Sequence, residues 1–163
     1  HQVVYVKNDS AFNEAFATAV ADEGIKRWLQ QRNAPDEFRS WQLLEQRAND
    51  FSGLLLNTRE KLRTVYSSQQ SKATMRAQKQ QVLDDLKRDY AQLKQRWNGY
   101  AGYDQWFNRP LNNADFIAVA TYQQCVPGFE RLLHSVDDDL PGFYAAVRTL
   151  AHQDRQMRRK LCE

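Results

Sequence analysis

The sequence predicts an all-α fold, a helical bundle built around one long antiparallel helical hairpin. Three observations carry this. Apolar residues recur at spacings of three, four and seven across residues 38–65 and again across 75–97. Only the polar run Ser67-Ser68-Gln69-Gln70-Ser71 separates the two stretches. No alternating strand pattern stands out after Tyr5.

Taken in order, Val3-Val4-Tyr5-Val6 is β-prone but too short to assign as strand or helix. Asp9 or Ser10 is suited to cap a helix, and the alanine-rich run from Ala11 toward Arg32 continues it. At about 100° per residue, Glu14, Ala21, Ile25 and Trp28 fall in one narrow sector, which is expected to be buried. A buried carboxylate needs a cation or hydrogen-bond donors, a need that zinc or an arginine would meet.

Asn33-Ala34-Pro35-Asp36-Glu37 then breaks the chain and starts a new helix, with proline and acids in its first turn. Phe38, Trp41, Leu44, Ala48, Phe51, Leu55, Leu62 and Val65 form the seam of one arm. Met75, Val82, Leu86, Tyr90, Leu93 and Trp97 form that of the other. Arms of roughly 30 residues extend about 45 Å each. The run from Trp97 to Pro110 is rich in glycine and aromatic residues, which suits a packed loop that caps the helical core or lines a cleft.

Asn112 or Asn113 caps the next helix, which runs to Cys125, and Pro127-Gly128 starts another that ends near His134. Asp137-Asp138-Asp139 lacks the alternating spacing of a calcium loop and is read as the cap of one final helix. That helix carries Phe143, Val147, Leu150, Met157 and Leu161 on one side.

With 163 residues, 42% of them apolar, the chain is long enough for one core of ordinary size. The expected organisation is a single domain over 1–163, comprising residues 1–32, a hairpin over 35–97, and an aromatic loop with C-terminal helices over 98–163. The net charge of +3 is modest, and the cluster Arg155, Arg158, Arg159, Lys160 reads as a solvated helix end and not as a nucleic-acid patch. No segment has the roughly 20 apolar residues of a membrane span. Cys125 and Cys162 could pair if the fold brings them close, but two cysteines specify neither a redox compartment nor a zinc site, and they are treated as ordinary buried or free thiols.

The chemistry lies at the start of the chain. His1-Gln2 is followed by Asn13-Glu14-Ala15-Phe16-Ala17. A helix with His-Glu-x-x-His supplies two zinc ligands and a general base, and in the gluzincin branch a glutamate within Asn-Glu-x-x-Ala is the third ligand. With Val3-Val4-Tyr5, Asp9-Ser10-Ala11-Phe12, Glu23-Gly24, Pro110-Leu111-Asn112-Asn113-Ala114 and Pro127-Gly128-Phe129, these residues resemble the bacterial family of predicted zinc aminopeptidases of the His-Glu-Leu-Ala-His type. The resemblance covers the whole chain, beginning at the last histidine of the motif.

That resemblance implies the C-terminal part of a zincin-like metallopeptidase acting on peptides, with Zn2+ bound by His1 and Glu14 and with Asn13 orienting Glu14. The first histidine and the base would lie upstream, so the chain by itself is expected to be inactive. The resemblance also implies the bacterial envelope or periplasm, the alternative being the cytoplasm. The competing functional reading is a non-enzymatic helical interaction module in which His1 and Glu14 have no metal role. Oligomeric state is not readable from the sequence.

Overall fold

The computed structural model describes residues 2–162. It is all-α, with no strand among the described residues. The elements are α1 (Ser10–Gln31), α2 (Pro35–Ser67), α3 (Lys72–Arg96), α4 (Asp104–Phe107), α5 (Asn113–Gln123), α6 (Val126–His134), α7 (Leu140–Ala151) and α8 (Arg155–Arg159), followed by a 3-10 turn (Lys160–Cys162). They fall into two compact units, one of residues 2–38 with 120–162 and the other Arg39–Val119.

In the first unit, Phe12, Ala15, Phe16 and Ala19 of α1 pack on Phe129 and Leu133 of α6 and on Phe143 and Val147 of α7. Phe129 is fully buried, with Phe12 edge-on at 5.1 Å and Phe16 at 5.8 Å between ring centroids. Burying each such ring contributes about 1.5–3 kcal/mol, so this aromatic cluster dominates the unit. As expected from the aspartate run, Asp139 caps α7, its carboxylate accepting from Gly142 N–H at 2.7 Å.

The final helix differs from the expected single element. It stops at Ala151 and restarts at Arg155, because Asp154 takes an extended conformation and caps the new start, accepting from Met157 N–H at 2.8 Å. The break brings the 3-10 turn onto α6. A Cβ on Gly128 would lie 1.8 Å from the Leu161 carbonyl oxygen, so only glycine permits this approach. Cys125 and Cys162 are not free thiols. They form a disulfide across a separation of 37 residues.

In the second unit, α2 and α3 form the expected hairpin. Ser71 caps α3, accepting from Thr74 N–H at 3.2 Å. The arms run antiparallel, with Trp97 Nε1 donating to Asp50 at 2.9 Å near one end and Lys61 4.0 Å from Asp89 nearer the turn. Phe51, Leu55 and Leu62 face Leu83, Leu86, Tyr90 and Leu93. The seam starts later than its periodicity suggests. No residue of α2 before Phe51 is buried, and Leu44 is half exposed, since α3 ends opposite Asp50.

The aromatic run closes that end of the hairpin. Asn98 and Gly99, both at positive φ, reverse the chain. Tyr103 then stacks on Phe51 at 4.1 Å and Phe107 on Tyr90 at 4.4 Å. Tyr90 Oη donates to Asp104 at 2.7 Å, and Lys94 Nζ reaches the other carboxylate oxygen at 2.6 Å. With their faces occupied by one another, these rings are core. They do not form an open cleft lining.

Candidate functional site

The start of α1 carries the residues singled out by sequence. His1 lies outside the described residues. Glu14 lies one residue beyond the first helical turn, half-buried. Its sector is not the buried one. Ile25 is 41% and Trp28 52% exposed, and Ala21 is exposed as well. The helix packs instead through Phe12, Phe16, Ala19 and Glu23, centred about 160–180° around from Glu14. Apolar Ile25 and Trp28 gave the sector its buried look, yet the ring cluster on α6 and α7 selects the phenylalanine face.

The buried carboxylate of this helix is Glu23. Arg27 Nε lies 2.6 Å and Lys26 Nζ 3.1 Å from it, so its charge is compensated by two cations on the next turn. Arg27 also donates to the Asp138 carbonyl, tying α1 to the bend between α6 and α7.

Asn13, directly before Glu14, is buried. Its Oδ1 accepts from Val6 N–H and its Nδ2 donates to the Val6 carbonyl, each at 2.8 Å. This reciprocal pair imitates one rung of a β-ladder and fixes the register between the segment before the helix and the helix itself. Asn13 therefore orders the backbone on both sides of residues 7–12, immediately before Glu14. Val4 adds a plug in the aromatic core.

Asp9 occupies the cap position of α1 yet makes no side-chain cap. Its carboxylate accepts from Arg158 Nε at 2.8 Å, and both side chains are only about a tenth exposed. The Arg158 guanidinium lies 5.9 Å from the Phe12 ring centroid. Sequence reading placed Arg158 in a solvated helix end, because nothing local signals a partner 149 residues away.

Among the described residues, no three of His, Cys, Asp and Glu converge to hold a metal ion. A catalytic zinc site needs three protein ligands and an open position. Glu14 fits one place in such a set, being a carboxylate on an ordered helix face turned away from the core.

A family model described as "Putative aminopeptidase" matches residues 1–162. The chain belongs to this aminopeptidase family. No curated protein and no solved structure matches it. Within this family member, the site geometry above is confined to the first unit. The aromatic segment of the second unit is occupied with packing: Tyr103 is stacked, and burial pushes its phenol above the ordinary range. No helix among the described residues is long and apolar enough to cross a membrane.

Proposed function

We propose that this chain is the C-terminal helical part of a zinc-dependent aminopeptidase in which Glu14 is the carboxylate ligand and His1 the second imidazole ligand. The first histidine and the general-base glutamate would belong to sequence preceding residue 1, and the 163 residues alone would be inactive. The observation that carries this is the placement of Glu14: it is presented on the face of α1 opposite the core, in a chain whose family is that of aminopeptidases.

When bound, zinc would lower the pKa of a coordinated water and polarise a peptide carbonyl. The residues of this chain serve to hold. Phe12 and Phe16 anchor α1 to the core, Asn13 fixes the segment leading from residue 1, and Glu14 supplies an oxygen donor on the remaining face. The disulfide supports an oxidising compartment, and hence the cell envelope as the site of action, because such bonds are rare in reducing cytosol. The substrate is then a peptide with a free amino terminus.

The test uses the full-length gene product with its upstream sequence. It should hydrolyse an aminoacyl reporter, lose activity to a chelator and recover it with zinc. Glu14→Ala should remove both stoichiometric zinc and turnover. Retention of zinc and full activity in Glu14→Ala would sink the ligand assignment, and a zinc-indifferent gene product would favour the interaction-module reading.

A further inference from the structure

An aspartate just before a helix ordinarily spends its carboxylate on the orphan N–H groups of the first turn. Asp9 does not. It is turned instead to Arg158, in a nearly buried ion pair linking the first turn of α1 to a short helix at the other end of the chain. Removing either charge would leave the other poorly solvated, so the pair is costly to separate.

Arg158 is itself held in place. Asp154 caps the start of α8, Arg131 donates to the Leu161 carbonyl at 3.3 Å, Leu161 lies against Gly128, and Cys162 is bonded to Cys125 beside α6. A continuous path of bonded groups thus runs from the disulfide through the 3-10 turn and Arg158 to Asp9. One turn later Asn13 closes on Val6, and the next residue is Glu14.

We infer that Arg158 is a positioning residue for Glu14: through Asp9 it fixes the first turn of α1, and the Cys125–Cys162 disulfide keeps α8 and the 3-10 turn where Arg158 can do so. This rests on the metal-ligand role proposed for Glu14. Partners that orient a ligand indirectly typically change metal affinity or activity by about 10–100-fold when removed.

Two readouts separate this inference from the zinc reading. The first, on the 163-residue chain, is amide hydrogen exchange. Arg158→Met should speed exchange of the N–H groups of Asn13 and Glu14 at least tenfold relative to those at the centre of α3. The second, on the full-length gene product, is zinc affinity by chelator competition together with kcat and KM. Arg158→Met should weaken zinc binding and lower kcat by about 10–100-fold, with KM within twofold. Arg158→Lys should recover most of both, and Arg155→Met should change neither. If Arg158→Met does not fold, Asp9→Asn, which removes the charge and keeps the shape, takes its place.

Unchanged exchange and unchanged zinc affinity in a folded Arg158→Met or Asp9→Asn protein would overturn the inference. So would an equal loss in Arg155→Met. A wild-type gene product that hydrolyses without zinc would sink the zinc reading, and the positioning inference with it. Zinc-dependent wild-type activity that is indifferent to Arg158 would sink the inference alone.

Discussion

Removal of the disulfide tests how the C-terminal turn is held. Cys125 and Cys162 close a loop of 37 residues' separation. The chain-entropy relation assigns a cross-link of that span about 4 kcal/mol at 25 °C, through the freedom it denies the unfolded chain. Replacing both cysteines by serine should therefore lower the unfolding free energy of the protein by about 2–4 kcal/mol, the lower figure allowing for structure retained in the unfolded state.

For a chain of this size each kcal/mol moves the melting midpoint by about 2–4 °C, so a fall on the order of 4–16 °C is expected. Urea unfolding followed by the loss of helical circular dichroism, with the wild-type protein measured with and without reductant, reads the same quantity in a second way. The double-serine variant and the reduced wild type should agree within about 1 kcal/mol, since both open the same loop. A double-serine variant within 0.5 kcal/mol of wild type, taking about that figure as the limit of a neutral surface change, would refute the reasoning.

Two further outcomes follow from neighbouring features. Gly128→Ala places a methyl group against the Leu161 backbone and should cost about 1–3 kcal/mol in a thermal melt. The cost should shrink in the double-serine background, where the turn is free to move; equal costs in both backgrounds would show that the clash is relieved elsewhere. In the second unit, Lys94 and then Tyr90 hold the Asp104 carboxyl below the usual carboxylate range. A lowered folded pKa means that the unfolded chain binds the proton first. The stabilisation is then complete above about pH 4 and is lost as pH falls through the lowered value. Urea unfolding of wild type and Asp104→Asn from pH 7 down to pH 2.5 should show a difference that narrows toward the acid end, and a gap unchanged at pH 2.5 would contradict the assignment.

Much of the fold was legible because it is local. The hairpin follows from heptad-like spacing on either side of a polar turn, and the cap at Asp139 from residue type and position. Less legible was the break at Asp154, where Phe143, Val147 and Leu150 continue an apolar stripe to Leu161 across a capped restart. Asp154 is an N-cap residue by chemistry, but periodicity outweighs it until the chain is seen to fold back. The disulfide and the Asp9–Arg158 pair were beyond reach for a different reason. Each joins positions far apart in sequence: two cysteines allow a single pairing but carry no sign that the fold brings them together, and an aspartate and an arginine carry no sign of which partner they meet.

The face of α1 bearing Glu14 is not the one that packs on α6 and α7. From sequence, Glu14 appeared to share a buried sector with Ile25 and Trp28, and burial of a carboxylate called for a cation. In the fold, Ile25 and Trp28 are about half exposed, the guanidinium of Arg32 lies 4.5 Å from the centroid of the Trp28 indole, and the carboxylate that burial does force into pairing is Glu23. Desolvation therefore no longer argues for zinc at Glu14. What supports it is placement: α1 buries one side on α6 and α7 while an ordered first turn holds Glu14 on the other. That first turn is bounded by the Asn13–Val6 bonds on one side and the Asp9–Arg158 ion pair on the other.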